Sequence, residues 1–274
     1  MKYRLVVSFV SVMFAGMPAS AAFVVTQNNN PTALQTALLG STTGLSGFST
    51  TIVNGVPDQF GLFTGGLPAI GLDQGIVLST GTATQIPGVN TGNDLSTNFG
   101  VTGAGVFRDP ALLRVSFNSD GTANQVFFQF VFGSDEFLDF AGSQFNDRFE
   151  LRLNGVNLAR LTNGQDVTVN NLAASPTGPF NPDYINNPAG SGTLQRLDGY
   201  TVPLTFTGNL AVGSNTLEIF IADVNDGVFD SAVFVRGNTL GTVNPGVATP
   251  VPATALVMVV GFGGLFGLRR RSVK

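Results

Sequence analysis

Along the middle of the chain, apolar and polar residues alternate with the two-residue period of a half-buried strand. From Asp147 to Leu153, Phe149, Leu151 and Leu153 point one way while Arg148, Glu150 and Arg152 point the other, which predicts a strand with one wet face. Gln125 to Phe132 sets Val126, Phe128, Phe130 and Phe132 on one face and mixes Phe127 and Val131 with Gln on the other, the pattern of a central strand. Thr216 to Ala222 turns Leu217, Ile219 and Ile221 inward, and Gly75 to Thr80 and Ser231 to Arg236 read as further strands. One helix is expected, Pro31 to Leu39, with Asn30 as its cap, Pro31 at its first position, Gly40 as its stop, and Leu34, Ala37 and Leu38 on one face. From Gly40 to Ala111 the chain is rich in Gly, Thr, Ser and Asn, with short strand candidates such as Gly75 to Thr80. Turn pairs punctuate the strands at Asn54-Gly55, Asp120-Gly121, Asn154-Gly155, Asn163-Gly164, Asp198-Gly199 and Asp226-Gly227. Short strands with such turns predict a mainly β chain, an antiparallel β-sandwich of jelly-roll-like kind with a short N-terminal helix.

The two ends follow other rules. Lys2 and Arg4, then the apolar run Leu5 to Met17, then Ala19-Ser20-Ala21, make the three-part layout of a secretory signal peptide cut after Ala21. Signal peptidase and a secretion translocon are the partners this implies. At the other end Pro250-Val251-Pro252 precedes an apolar stretch, Ala253 to Leu268, and Arg269-Arg270-Arg271 follows at once. Sixteen helical residues reach roughly 24 Å at ~1.5 Å each, short of a ~30 Å hydrocarbon core, and the Arg cluster would hold that end on the cytoplasmic side. This order resembles the PEP-CTERM sorting tail, with Val251 where that family has Glu. The resemblance implies an exosortase-like enzyme acting near the proline motif, and membrane contact through the tail before processing. The expected division is a signal peptide at 1–21, a sandwich domain at 22–242, a linker at 243–249 and a sorting tail at 250–274.

Composition matters most after these ends are set aside. The chain has 35 Gly, 24 Phe, no Cys, no His and no Trp. The net charge of −4 for the whole sequence becomes −10 for the trimmed domain, because both Lys and four of the eleven Arg lie in the ends while all 17 acids lie between them. An acidic, Lys-free domain argues against nucleic acid as a partner, which needs a basic surface. Without Cys, no disulfide supports it outside the cell.

The apolar and acidic blocks carry a recognisable order: Leu34 to Gly40, Gly61 to Gly66, Gly75 to Gly81, Phe130 to Phe137, Asn146-Asp147, Asp198 to Thr201, Ile221 to Asp226 and Phe229 to Phe234. It resembles the choice-of-anchor L domain, with Asp135 where Glu is expected and Phe137 in place of Tyr. The resemblance spans roughly Pro31 to Arg236 and implies an exported domain joined to a C-terminal anchor.

The missing residue types exclude much chemistry. Without His or Cys there is no ordinary base for a Ser nucleophile, no thiol nucleophile and no usual zinc set. No Gly-x-Ser-x-Gly elbow and no phosphate-binding Gly-rich loop ending in Lys is present. Carboxylates remain, and they cluster. Glu136, Asp147, Asp223, Asp226 and Asp230, with Asp135 and Asn146 beside them, are the candidate ligands of a structural Ca²⁺, which takes about 6–8 hard oxygens. The run Asp223-Val224-Asn225-Asp226-Gly227 to Asp230 is acidic without matching an EF-hand. The resulting expectation is a non-enzymatic module of the cell surface or extracellular matrix that binds or assembles in extracellular polymer. A calcium-dependent carbohydrate-binding domain is the alternative. A polysaccharide hydrolase using two carboxylates is the third, and it lacks the Trp platforms that sugar subsites favour.

Overall fold

The computed structural model describes residues 22–92 and 95–246. The expected signal peptide, the expected sorting tail and the last three residues of the expected linker lie outside these residues. In chain order the strands are β1 (Val24–Gln27), β2 (Leu45–Asn54), β3 (Phe60–Thr64), β4 (Gln74–Ser79) and β5 (Phe107–Ser119). They continue with β6 (Gln125–Ser134), β7 (Arg148–Leu153), β8 (Val156–Asn157), β9 (Val167–Thr168) and β10 (Tyr184–Asn186). The last four are β11 (Gly199–Thr201), β12 (Leu204–Asn209), β13 (Gly213–Val224) and β14 (Ser231–Arg236). The helices are α1 (Pro31–Leu38), α2 (Leu67–Ile70) and α3 (Val169–Leu172).

Among the described residues these strands form two antiparallel sheets. One runs β1-β3-β4-β14-β6-β11-β10, with β12 also on β6, and the other runs β2-β5-β13-β7-β8, with β9 also on β7. The chain is thus a mainly β sandwich, as its pattern predicts. The long pairs fix the register: Leu217 faces Val115 on one side and Leu153 on the other, so every second residue of three adjacent strands points into the same core. That core packs Val126, Phe128, Phe130 and Phe132 of β6 against Phe149, Leu151, Leu217 and Ile219 of the facing sheet. The rings of Phe130 and Phe149 meet across the sandwich at 4.9 Å.

A second apolar cluster lies on the far side of the larger sheet, where Phe23, Phe63, Ile70, Leu72, Leu95 and Leu197 cover Val77, Val131 and Phe234. This explains why β4, β6 and β14 read as nearly continuous apolar runs: both of their faces are covered. The smaller sheet keeps its outer face near water. There Arg114 pairs with Glu218 at 2.7 Å and Arg148 with Glu150 at 2.9 Å, and Arg152 joins both acids. The face expected to be wet is therefore shielded by its own charges, and Glu150 is buried beneath its two Arg partners.

The helix forms where its cap predicts: the Asn30 side chain accepts the N–H groups of Thr32 and Ala33. Three readings need correction. The Gly-, Thr-, Ser- and Asn-rich segment after Gly40, expected to hold only short strands, contains β2, ten residues long, whose outward Ser46, Ser49 and Thr51 hide the strand pattern at a sheet edge. Asp198-Gly199 makes no turn. Gly199 pairs with Ser134 in β11, and a Cβ there would collide with the Tyr184 ring. At Asp226-Gly227 the left-handed residue is Asn225 instead, with φ 76°.

Candidate functional site

The acids come together at one end of the sandwich because antiparallel neighbours begin and end there. Strand β6 ends at Ser134, so Asp135 and Glu136 follow it directly; Asp147 immediately precedes β7; Asp223 is the penultimate residue of β13; Asp230 immediately precedes β14. The link from 225 to 230 crosses from the smaller sheet to the larger, so these side chains lie where the two sheets meet.

Asp147 ties that junction. Its carboxylate accepts the Ser231 hydroxyl of β14 at 2.7 Å and the Val224 N–H of β13 at 3.0 Å, one bond to each sheet. Asp230 accepts the Thr97 N–H at 2.8 Å, Asp135 accepts the Leu95 N–H at 3.1 Å, and the main chains of Asp135 and Asp230 bond to each other. Together they pin the segment 95–101 over this end. The deepest of the group is Asp223. Neither of its oxygens meets a hydrogen-bond donor, nor does Oε2 of Glu136 or Oδ2 of Asp230. The Thr80 hydroxyl lies beside Asp223 and lowers its pKa, but its own bonds run to the N–H and carbonyl of Ser231.

Exposure decides what these acids can reach. Asp223 is 0% exposed, Glu136 1%, Asp147 1% and Asp230 2%. Burial, then the nearby carboxylates of Asp147 and Asp226, pushes Glu136 up to about 9. Burial and repulsion from Asp147 hold Asp223 well above the ordinary carboxylate range. Asp147 is also raised by burial, against the pull of its bonds from Ser231 and Val224. Burial takes Asp230 up to about 6, with Arg196 as an opposing positive charge. Asp226 sits partly exposed at the rim, raised by burial and bonded only within its own turn, to Val228 N–H. Asn146 points elsewhere: its side-chain oxygen accepts the Asn170 N–H at the start of α3. Among the described residues no three acidic side chains converge tightly enough to hold a metal by themselves.

Sequence reading overlooked several members of this end. Asp109, fully buried with φ 42°, accepts the N–H groups of Phe99 and Val101. Gln59, also buried, donates to the carbonyls of Thr80 and Asp109. Gly81 leaves room for Asp230, because a Cβ there would collide with that carboxylate. Ser231 had a visible signal, a lone hydroxyl opening the apolar run Ala232 to Val235. Asp109 and Gln59 had none, since their partners lie far along the chain.

A separate groove of about 270 Å³ opens beside this end, on the outer side of the smaller sheet. Phe107, Asn146, Arg148, Asp166, Thr168 and Asn171 line it with Val106 and Val224. The Arg148 guanidinium sits 5.9 Å from the centre of the Phe107 ring.

The family model described as the choice-of-anchor L domain matches residues 24–241. No curated protein matches the chain. Two solved structures resemble it in part. A family 35 carbohydrate binding module from an environmental isolate is 17% identical, with a TM-score of 0.22 over 61% of this chain and 97% of that one. A module described as CBM35 from Cellvibrio japonicus Abf62 is 16% identical, with a TM-score of 0.20 over 60% of this chain and 98% of that one. Likeness of this extent leaves any ligand to be argued from the chain's own residues.

Proposed function

This chain belongs to the choice-of-anchor L domain family, and from that premise we propose that it is an exported, non-catalytic module of the cell surface or extracellular matrix. The sealing of its acids is the observation that supports this most. A glycosidase places one carboxyl on the leaving oxygen and another on the sugar or its water. Here the four central carboxyls are at most 2% exposed, while Asp226 stands at the rim and Asp139 is exposed beside it. Sealed at this depth the four do not meet a substrate, and Asp147 and Asp230 bond neighbouring strands and the segment 95–101. The family and the leader-like first 21 residues support an extracellular place of work. The apolar tail with its Arg cluster supports transient or lasting attachment to the membrane, with processing near Pro250 to Pro252.

Two measurements test this reading. Incubation with extracellular polysaccharides is expected to release no product above the blank; turnover that Asp226→Asn abolishes would overturn the non-catalytic assignment. Fractionating cells and weighing the mature protein is expected to find it outside the cytoplasm, without residues 1–21 and without Arg269 to Arg271. A mature mass retaining Arg269 to Arg271 would contradict tail processing.

The groove on the smaller sheet favours a second reading, recognition of an extracellular polysaccharide. Amide, hydroxyl, guanidinium and carboxylate groups surround one aromatic ring there, the mixture a polyhydroxyl ligand uses. Retardation of the protein in gels containing exopolysaccharide, lost in Phe107→Ala and Arg148→Gln, is the expected result. Equal retardation of both variants would place any such binding elsewhere.

A further inference from the structure

Buried polar groups in folded proteins have partners, and each exception calls for an explanation. At this end of the sandwich the exceptions are negative and adjacent. Asp223 is fully buried, its oxygens meet no donor and its carboxyl lies against that of Asp147, while Glu136 Oε2 and Asp230 Oδ2 are buried without a donor. Asp223 feels Asp147 and Asp230, and Glu136 feels Asp147 and Asp226, so the free oxygens belong to one electrostatic neighbourhood. The acids on the outer face of the smaller sheet are matched by Arg. Arg196 acts on Asp230 as an opposing positive charge. A group of like charges at the meeting point of two sheets would push them apart unless protons or a cation neutralise it.

We propose that this end is a calcium site, with Asp223 as the anchoring ligand, Asp147 beside it, and the free oxygens of Glu136 and Asp230 reached through the ion's water. Several observations choose the ion. The chain has no Cys and no His, so only hard oxygen donors are available. No three carboxylates converge among the described residues, so the sphere must be completed by main-chain oxygens and water. Calcium accepts such mixed, irregular shells of about 6–8 oxygens, whereas magnesium demands a near-ideal octahedron. The ion would join β13, β14 and the turn after β6, which carries Glu136, and through Asp147 and Asp230 it would hold the segment 95–101. One consequence rests on the export reading: calcium sites of extracellular modules work at ~10⁻⁴–10⁻³ M, so such a site would fill outside the cell. Binding itself does not depend on that reading.

The test uses the full chain, stripped with EDTA and titrated with CaCl₂ in a calorimeter, with melting curves recorded in parallel. One ion per chain is expected, with a melting temperature higher by at least about 5 °C at saturation. Asp223→Asn keeps the shape and removes the charge. It is expected to weaken binding at least about 100-fold, while its calcium-free melting temperature is no lower than that of the unaltered chain. Glu136→Gln, should Asp223→Asn fail to fold, is expected to weaken binding about tenfold. Absence of both heat and melting shift in the unaltered chain would overturn the proposal. So would calcium affinity in Asp223→Asn, or in Glu136→Gln if that is the variant used, equal to that of the unaltered chain. An equal response to MgCl₂ would overturn the choice of ion. Loss of calcium binding with normal export would sink this site alone, and mislocalisation with intact binding would sink only the surface reading.

Discussion

The sandwich has two acid-rich regions built on opposite terms. On the outer face of the smaller sheet, Glu150 and Glu218 lie between Arg114, Arg148 and Arg152, and the charges alternate across β5, β13 and β7. At the end of the sandwich, Glu136, Asp147, Asp223 and Asp230 are packed beside one another, and several of their oxygens meet no donor. The residue types are the same, and position decides the difference. The ladder sits near water, where a charge costs little and a pair gains little. The end group sits in the interior, where a charge is costly unless something compensates it. The ladder contributes modestly to stability in its own right. The end group requires compensation, which makes it the better candidate for a function.

The sharpest way to break this contrast is Asp147→Ala. It leaves the Ser231 hydroxyl and the Val224 N–H buried without an acceptor, at about 1–3 kcal/mol for each group. A loss of about 2–4 kcal/mol in denaturant unfolding is expected, partly offset by relief of repulsion on Asp223. A loss below about 0.5 kcal/mol would show that Asp147 does not tie the sheets. Gly81→Ala comes next. Its new methyl would displace the Asp230 carboxylate, with an expected loss of about 2 kcal/mol; an unchanged midpoint would mean that Asp230 is free to move aside. Smallest is Glu218→Gln in the ladder, where a loss of at most about 1 kcal/mol is expected, shrinking in 1 M salt. A larger or salt-independent loss would make the two regions alike.

Acidity should separate them as well. Glu136 titrates near 9 and Asp230 near 6 in the fold, against about 4 in an unfolded chain. The folded state therefore binds more protons across that window, and its stability falls as pH rises. The charges facing these two groups are Asp135, Asp139, Asp147 and Asp226 around Glu136, and Asp109 and Arg196 around Asp230. In EDTA the melting temperature is expected to decline from pH 5 to pH 9. A rising or flat profile would mean that these acids are already compensated within the protein.

How much of this was legible depended on how local the cause was. Asn30 and Pro31 announce α1 because a cap is settled within four residues. Phe149, Leu151 and Leu153 announce β7 because alternation is a property of the strand alone. Strand β2 stayed hidden, since an edge strand with Ser and Thr facing outward lacks that alternation. For the end group, residue type pointed to Glu136, Asp147, Asp223 and Asp230, but not to their burial or their missing donors. Asp109, Gln59 and Gly81 joined only through strand pairing between distant segments. Asn146 looked like a ligand from its place beside Asp147, yet its oxygen is committed to α3.

The central claim is that a cation compensates the end group as Arg compensates the ladder. Amide hydrogen exchange on the full chain, in EDTA and in saturating calcium, tests it most directly. Calcium is expected to slow exchange in 95–101, 135–147 and 223–231 while leaving the ladder positions at Arg114, Arg152 and Glu218 unchanged. Identical exchange in both conditions, or slowing spread evenly over ladder and end alike, would contradict it.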